Sequence, residues 1–429
     1  MSGPRQIAVV GAGPSGLFSA QALVKAVPGA VVDVIEKLPV PHGLIRYGVA
    51  PDHQGTKAVT RQFERLFERD GVGFHGNVEI GRDVSLAALL GLYDAVVLAA
   101  GLSVDRRLGV PGERLAGVIT SGALTRWINS HPSEPATPPA LGRNVVVVGA
   151  GNVALDIARL LAKTPDEFSG SDLDPARATA LDVCGIETID VVGRGSAAAC
   201  RFDPALIKEM AHLAGARIEV HGDLDVDAPA EAAARLAALK VIHGAGPADA
   251  RRVVRFRFGF SPDEILGDAA GAVQAMRFRT ADGASLTLPA TSVITAIGFC
   301  CDSRAALIDP VGVSAGDGAG ALPHRIGERL FAVGWFRGGA VGTIPEARRD
   351  AKLLVDTVAA TLTTTEVTSS PRAGRAGLLA RLAAAGVTPV SYAHWKHIEA
   401  AETAAAPPGR ARLKLCSTSD MIVHVHRAA

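Results

Sequence analysis

The chain has 429 residues, 48% of them hydrophobic, and a formal net charge of +1 at pH 7. Because this length exceeds what one ordinary core can bury, two or three domains are expected. A net charge this close to zero provides no global field that favours nucleic acid or a membrane surface. Neither is predicted as a partner, and a charged partner would need a local patch.

The cysteine pattern and the apolar runs bear on the cellular location. No apolar run is long enough for a membrane span, and the few residues before the first predicted strand leave no room for a signal peptide. The five cysteines show no CxxC spacing and no metal-ligand pattern with histidine. Reduced thiols in a cytoplasmic protein, and no metal site, are therefore predicted.

The first predicted element is a phosphate-binding turn. Residues 7–10 are typical of a buried strand, and a helical pattern begins at Leu17. The GxGxxG loop between them permits a tight turn, close approach to a pyrophosphate and close helix–strand packing. The candidate cofactor-binding residues of this loop are Gly11, Ala12, Gly13, Pro14, Ser15 and Gly16. A second strand, residues 31–35, ends at Glu36, where a carboxylate suits ribose hydroxyls. A glycine-rich turn without a ligand is the alternative.

A loop rich in Pro and Gly, residues 37–53, follows Glu36 and carries apolar residues that must pack on other structure. We call it the covering loop, because a loop of this kind beside a dinucleotide site is expected to cover the cofactor. An ordinary surface connection is the alternative. Residues 56–70 predict an amphipathic helix, and residues 76–81 a short strand whose Val78 would bring a backbone group near an adenine.

The opening pattern recurs in the middle of the chain. Residues 144–148 predict a strand, a GxGxxA loop follows, and residues 155–163 predict its helix. The candidate residues here are Ala150, Gly151, Asn152 and Val153. The next strand ends in Arg194 instead of an acid, and an arginine there suits a 2′-phosphate because its planar fork binds that group bidentately. A solvated charge at the end of a strand is the alternative.

The two loops therefore predict two nucleotide sites of different type. The first, with Glu36, prefers a free ribose, and the second, with Arg194, favours NADP. One tightly held flavin and one exchangeable nicotinamide fit this layout, with hydride transfer between them as the chemistry.

The rest of the chain supplies further candidate elements. Residues 222–250 predict a helix, residues 251–258 a strand with an arginine face, and residues 291–299 a buried strand. Residues 330–335 predict a strand that ends at Trp335, for which plain core packing is the alternative role. The following loop leads into a helix expected from Glu346, whose start would aim N–H groups at a flavin. The C-terminal part predicts a helix and a strand.

Taken together, the chain resembles the adrenodoxin-reductase-type (FprA-like) ferredoxin–NADP reductases. The segments that carry the resemblance are residues 11–17, 36–53, 76–83, 111–113, 149–156, 330–344 and 410–414. The resemblance implies an α/β fold with two Rossmann-like dinucleotide-binding domains in a glutathione-reductase-like arrangement. It places an NADP domain, residues 106–299, within a FAD domain formed by residues 1–105 and 300–429.

The resemblance also implies roles for individual residues. The residues that would hold FAD beside the first loop are Glu36, Leu44, Val78, Trp335, Gly342, Thr343 and Ile344. Ala150 to Val153 and Arg194 would hold NADP, and Gly342 would lie near the nicotinamide. His53 and Asp156 match polar positions near the flavin edge that relay protons or orient the ring; structural hydrogen bonding is the alternative.

Three departures from the family pattern bear on specificity. Gly195 replaces the second of two adjacent arginines, which weakens NADPH preference and leaves NADH as a possible donor; Arg201 is a candidate for the compensating charge. His42 stands where the family has a Phe. Gly338 and Pro345 alter the loop after Trp335, near the flavin.

The function implied is electron transport. NADPH would pass hydride to FAD, and single electrons would go to an acidic iron–sulfur ferredoxin that can feed a cytochrome P450. Docking of such a partner needs a basic patch, for which a solvated face is the alternative. The candidates are Arg235, Lys240, Arg251, Arg252, Arg255 and Arg257. Two other functions remain open: a flavin oxidoreductase that acts directly on a small molecule, and a nucleotide-binding redox sensor without turnover.

Overall fold

The computed structural model describes residues 3–183, 185–301, 303–313, 321–364 and 371–426. The strands in these ranges are, in chain order, β1 (Gln6–Val10), β2 (Val31–Ile35), β3 (Gly73–His75), β4 (Ala95–Leu98), β5 (Val118–Thr120), β6 (Asn144–Val148), β7 (Thr188–Gly193), β8 (Ala216–His221), β9 (Arg252–Phe258), β10 (Ser261–Gly267), β11 (Val273–Arg279), β12 (Ser285–Pro289), β13 (Ser292–Thr295) and β14 (Leu330–Ala332).

The helices of the same ranges are α1 (Pro14–Ala26), α2 (Leu44–Tyr47), α3 (Gln54–Lys57), α4 (Arg61–Glu68), α5 (Leu86–Leu92), α6 (Ser121–Ile128), α7 (Asn152–Ala162), α8 (Pro175–Val183), α9 (Pro204–Glu209), α10 (Ala230–Ile242), α11 (Ser303–Ile308), α12 (Gly334–Gly338), α13 (Ile344–Thr364), α14 (Gly374–Ala384), α15 (Tyr392–Ala404) and α16 (Thr418–His426). Among them, no helix combines the length and the apolar character that crossing a membrane requires.

The first sheet has the strand order β14-β4-β1-β2-β3, and all its strands run parallel. The residues of β1 and β4 are buried throughout, as expected for parallel strands that are covered on both faces. β14 comes from a distant part of the chain and completes the sheet beside β4, with Leu330 opposite Val96.

The second sheet has the order β5-β13-β6-β7-β9-β8 and is also fully parallel. An antiparallel sheet, β10-β11-β12, packs on it through Met276 and Phe278, which share a core with Val146 and Val293. In both main sheets the strand order reverses at the strand before the glycine loop, at β1 and at β6. Ligands of open α/β sheets bind at such points.

The strands of the first sheet come from residues 6–98 and 330–332, and those of the second from residues 118–295. The α/β class with parallel Rossmann-like sheets is thus confirmed. The boundaries of the domains at residues 105 and 299 stay a prediction.

A buried charge cluster joins the segments that carry the two sheets. Lys57 Nζ and Lys414 Nζ lie 2.9 and 3.0 Å from the same carboxylate oxygen of Asp172. Both ammonium groups also donate to Asn129 Oδ1, at 3.0 and 3.2 Å. Burial and the neighbouring charge of Lys57 hold the pKa of Lys414 well below its ordinary value. The C-terminal segment is therefore tied to residues 57, 129 and 172.

Several predicted elements differ in the structure. The predicted helix over residues 56–70 is divided into α3, a 3-10 turn (Ala58–Thr60) and α4. The predicted strand at residues 76–81 is wrong: β3 ends at His75, Gly76 makes only an isolated antiparallel bridge to Val390, and Asn77 turns the chain with a φ of +59°. The predicted C-terminal strand is also wrong, since helix α16 occupies that segment.

Candidate functional site

The first phosphate loop is tight on one side and open on the other. Gly11 has a φ of +109°, and a Cβ there would collide with the carbonyl oxygen of Ala99 at the end of β4. A Cβ on Gly16 would likewise collide with the Gly11 carbonyl oxygen, whereas one on Gly13 would meet no atom of the described residues within 4 Å. Helix α1 begins at Pro14 without a side-chain cap. Its first free N–H groups therefore face the open side, where they can bind phosphate oxygens.

Glu36 holds this loop from the end of β2. Its carboxylate is 9% exposed; Oε2 accepts the Ala12 N–H at 2.8 Å and Oε1 accepts the Leu38 N–H at 3.1 Å. Burial raises the pKa of Glu36, and these two backbone donors oppose the rise. Each oxygen keeps a lone pair for a ribose hydroxyl. Val78 is buried beside it and donates its N–H to the Glu36 carbonyl oxygen at 3.0 Å, which leaves the Val78 carbonyl as the free backbone group.

The covering loop lies directly on the phosphate loop. The His42 N–H donates to the Ala12 carbonyl oxygen at 2.8 Å, and a Cβ on Gly43 would lie 2.9 Å from the Gly13 Cα. Leu44 opens helix α2 immediately afterwards. Leu44 thus follows directly on the residues that contact the phosphate loop, and its role in covering FAD stays a prediction.

His42, which replaces the family's Phe, points away from solvent. Its ring is 6% exposed and meets the edge of Trp395 with 5.8 Å between ring centres, and its Nε2 has no hydrogen-bond partner among the described residues. Burial, together with the positive charges of Arg46, Arg412 and Lys396, lowers the pKa of His42 to about 3. The ring is therefore neutral at physiological pH and acts as an apolar wall.

Trp335 does not end a strand as predicted: β14 ends at Ala332, and the short helix α12 brings Trp335 to the first phosphate loop. A Cβ on Gly334 would lie 2.6 Å from the Ser15 Cβ, so the start of α12 touches the loop. The Gly334 N–H donates to Asp350 Oδ2 at 2.7 Å, and the Trp335 ring lies 5.6 Å from the ring of Phe299. Trp335 is only partly buried, so it borders the site as well as packing.

The loop after Trp335 leads into helix α13, which begins at Ile344 and not at Glu346 as predicted. Glu346 instead reaches back, and its carboxylate accepts from the Thr343 N–H and, at 3.0 Å, from the Thr343 hydroxyl. Pro345 falls in the first turn, where its missing N–H removes no helical hydrogen bond. Gly342 is exposed with a φ of +99°.

The second phosphate loop repeats the geometry of the first. A Cβ on Gly149, whose φ is +140°, would collide with the Ala296 carbonyl oxygen, whereas Gly151 has no neighbour within 4 Å of such an atom. Asn152 begins helix α7, and its Oδ1 accepts the Asp203 N–H at 2.7 Å. Ala150 and Val153 flank these positions, and Val153 is 39% exposed.

Arg194 follows β7 on the same side of the sheet as this loop, since a Cβ on Gly193 would lie 2.8 Å from the Ala150 Cβ. Its side chain is exposed, and within the described ranges no carboxylate approaches its guanidinium within 4.0 Å. The charge is free to bind an anion.

The covering loop ends at His53, which contacts the helix of the second phosphate loop. His53 Nε2 lies 3.0 Å from Glu209 Oε2 and 2.9 Å from Arg159 Nη2, and Nδ1 lies 3.9 Å from Asp156 Oδ1. With a proton on Nε2 the ring donates to Glu209. With the proton on Nδ1 it accepts from Arg159 and faces Asp156. Both hydrogen-bond contacts of the ring are made by Nε2, since the 3.9 Å between Nδ1 and Asp156 is too long for a hydrogen bond.

Arg159 anchors this contact, which we call the polar junction (Asp52, His53, Asp156, Arg159, Lys163 and Glu209). It is 2% exposed, and Nη2 donates to Asp52 Oδ1 and Asp156 Oδ1, both at 3.0 Å. These donors and Lys163 outweigh burial and hold the pKa of Asp52 well below its usual range. At Asp156, burial outweighs the charges of Arg159 and His53 and raises the pKa.

Sequence reasoning missed Glu209 and Arg159. Arg159 carried a usable signal, since an arginine among the apolar residues of a predicted helix must find a partner. Glu209 carried none, because it is 156 positions from His53 and meets it only in the fold.

The predicted docking segment does not present a free basic face. It forms β9, which lies between β7 and β8. Arg251 and Arg252 bond Asp182, Arg255 bonds Glu219 and Arg257 bonds Asp190. These arginines pair with carboxylates of neighbouring elements, so the segment offers less free positive charge than the sequence suggested, and its role in docking stays a prediction. Lys240 pairs with Asp225 on the surface.

The two open loop faces fit two dinucleotides. Each lies at a strand-order reversal, each begins a helix without a side-chain cap, and a Cβ at Gly13 or Gly151 would have no neighbour within 4 Å among the described residues, which leaves room for a phosphate. Among the described residues no group of three or more His, Cys, Asp or Glu side chains is arranged to hold a metal ion.

The chain is similar to known proteins. The family described as pyridine nucleotide-disulphide oxidoreductase matches residues 5–221. The chain is 37% identical to cindoxin reductase of Citrobacter braakii over 425 residues, covering 97% of this chain and 90% of the relative. It is 34% identical over 460 residues to NADPH-ferredoxin reductase FprA of Mycobacterium tuberculosis, covering 98% of both. The solved structure of Mycobacterium tuberculosis FprA in complex with NADPH superposes with a TM-score of 0.90 at 32% identity, covering 99% of this chain and 100% of that chain.

Proposed function

Since the chain belongs to the pyridine nucleotide-disulphide oxidoreductase family, and within it to the adrenodoxin-reductase-type ferredoxin–NADP reductases, we propose that it is a FAD-dependent enzyme that oxidises NADPH and reduces a ferredoxin. The observation that carries the proposal is the polar junction. His53, at the end of the covering loop of one nucleotide site, is hydrogen-bonded to Glu209 and faces Asp156 on the helix of the other. A single side chain thus reaches both nucleotide sites.

When bound, FAD supplies an acceptor for the hydride of NADPH and a donor of single electrons. The protein's own residues bind FAD and NADPH and orient them. The first loop and Glu36 hold FAD by its phosphates and ribose, with Leu44, Val78, Trp335 and the Gly342–Ile344 segment around it. The second loop and Arg194 hold NADPH. The proposal includes the domain boundaries at residues 105 and 299.

At the polar junction, His53 and Asp156 are the residues proposed to relay protons or to orient the flavin ring. His53 Nε2 lies within hydrogen-bond distance of both Glu209 and Arg159, so the ring either donates to the carboxylate or accepts from the guanidinium and can exchange a proton with Glu209. Arg159 fixes the ring by holding Asp52 and Asp156 beside it. His42 and Trp395 close the first site against water behind the covering loop.

The partner is proposed to be an acidic iron–sulfur ferredoxin, which can in turn supply a cytochrome P450. The relatives, which are named as a ferredoxin reductase and a cindoxin reductase, support this class of partner. We also propose that the protein is located in the cytoplasm. The four described cysteines, Cys200, Cys300, Cys301 and Cys416, are free thiols, as expected in a reducing compartment.

The test is cytochrome c reduction by the purified yellow protein, with NADPH or NADH as donor, with and without an added ferredoxin. Strong dependence on ferredoxin, with NADPH as the better donor, supports the proposal. Fast reduction of the bound flavin without any dependence on ferredoxin would replace it with a flavin oxidoreductase that acts on a small molecule.

A further inference from the structure

The end of β7 presents only one of two expected cationic side chains. Arg194 is followed by Gly195, which is exposed and has no side chain to offer. A 2′-phosphate carries close to two negative charges at neutral pH, and it is bound tightly where two or more guanidinium groups meet it. The strand end alone therefore leaves this anion half neutralised.

The chain after Gly195 folds back onto the second phosphate loop and brings another arginine to it. The Arg201 N–H donates to the Ala150 carbonyl oxygen at 2.8 Å, and Arg201 pairs with Gly151 in an isolated parallel bridge. Two residues on, the Asp203 N–H donates to Asn152 Oδ1 at 2.7 Å. Phe202 is fully buried while Arg201 is exposed, so the guanidinium is on the solvent side of this clamped segment.

A cavity of about 350 Å³ adjoins this segment, lined by Asn152 and Arg201 on one side and by Arg235 of helix α10 on the other. Arg235 Nε is buried without a hydrogen-bond partner among the described residues. Burial raises the pKa of the Cys200 thiol, and the positive charge of Arg235 opposes that rise, which places Arg235 near the residue before Arg201.

The charges at this cavity are not neutralised from within. In the described part of the chain, no carboxylate lies within 4.0 Å of the guanidinium of Arg201 or Arg235, which line the cavity, or of Arg194 at the end of β7, in contrast to the paired arginines of β9. Asp203 lines the cavity but uses Oδ1 to accept the Ala205 N–H at 2.8 Å at the start of α9. Glu231, in the first turn of α10, is the other carboxylate of the lining and is exposed.

We propose that Arg201, supported by Arg235, binds the 2′-phosphate of NADPH together with Arg194 and takes the place of the arginine absent at position 195. The inference rests on the proposed use of NADPH. It makes donor specificity depend on a residue that lies eight positions beyond the end of β7, on the segment clamped to Ala150 and Asn152.

The test compares two ligands that differ only in the group concerned. Calorimetry on the FAD-loaded enzyme measures the affinity for 2′,5′-ADP and for 5′-AMP in the wild type, Arg201→Ala and Arg235→Ala. The matched control is Arg143→Ala, since Arg143 is an exposed arginine at the opposite end of β6, where it pairs with Glu187. Loss of one charge-assisted contact is expected to weaken the binding of 2′,5′-ADP about 10-fold in Arg201→Ala, and by a smaller factor in Arg235→Ala. Binding of 5′-AMP is expected to change less than about 2-fold.

Two outcomes would overturn the inference. Unchanged affinity of Arg201→Ala for 2′,5′-ADP would remove Arg201 from the site, and equal weakening of both ligands would assign it to the phosphate that they share. Reduction of the bound flavin by NADPH is measured on the same wild-type sample. If NADPH reduces the flavin while Arg201→Ala behaves as the control, only this inference fails; if NADPH does not reduce it, the proposed function fails as well.

Discussion

Replacement of His42 by glutamine should make the protein less sensitive to acid. His42 is 6% exposed, its Nε2 has no partner among the described residues, and burial beside three cationic side chains lowers its pKa to about 3 from an ordinary value of 6.5. The folded protein therefore keeps this ring neutral at any pH above about 3, whereas the unfolded chain protonates it below 6.5. Glutamine cannot take up that proton in either state.

The size of the effect follows from the two pKa values. Where the unfolded chain binds one proton more than the folded protein, the free energy of unfolding falls as pH falls, by about 1.4 kcal/mol per unit. The contribution of a neutral His42 is thus fully present above pH 6.5 and is lost progressively below it. Between pH 7 and pH 5 the wild type should lose about 2 kcal/mol through this residue, and His42→Gln should not.

Urea unfolding of the flavin-loaded protein at pH 7 and pH 5, followed by far-ultraviolet circular dichroism, measures this difference. Each variant is compared with itself at the two pH values, so that any packing cost of glutamine cancels. His397→Gln is the control, because His397 is exposed on helix α15, which also carries Trp395. Equal losses of stability in His42→Gln and the wild type would refute the reasoning.

Three further predictions concern the two nucleotide sites. Arg194→Ala should raise the KM for NADPH about 10-fold more than the KM for NADH, because only NADPH carries the 2′-phosphate; equal effects on both donors in steady-state assays would contradict its role. Glu209→Gln removes the carboxylate that accepts from His53, so the pH dependence of flavin reduction by NADPH should shift in stopped-flow measurements, and an unchanged profile would count against the relay. Arg159→Met leaves the partly buried Asp52 carboxylate with Lys163 alone, which should lower the free energy of unfolding by about 3 kcal/mol, the low end of the cost of breaking a buried ion pair; a loss below about 1 kcal/mol in urea unfolding would show that the pair is not structural.

The phosphate loops were predictable because their signal is local. A strand, a glycine pattern and a helix within about fifteen residues define the turn, and the collisions that a Cβ would cause at Gly11 and Gly149 explain why glycine stands there. The acid at Glu36 and the arginine at Arg194 follow at fixed offsets along the same units. The strand pairing around these loops also follows, since consecutive parallel strands lie close together.

The failures share a different cause. The arginines of β9 look like a free basic face in the sequence, because the carboxylates that pair with them, Asp190 and Glu219, belong to neighbouring strands. The strand expected at residues 76–81 lacks a continuous partner, and Gly76 finds only Val390. The role of Glu209 likewise depends on a partner far along the chain. Each of these outcomes depends on a partner that is distant in the sequence, so the local sequence pattern could not predict it.

The place of β14 in the first sheet has a consequence for synthesis on the ribosome. Until Leu330 to Ala332 emerge, β4 has an unpaired edge, and about 230 residues separate the two strands in the chain. At roughly 5–20 residues per second, that edge stays open for about 10–50 seconds, while the second sheet can already assemble. A nascent chain that stalls within residues 99–329 would therefore expose an unprotected edge strand to its neighbours, and chaperones would be expected to bind there.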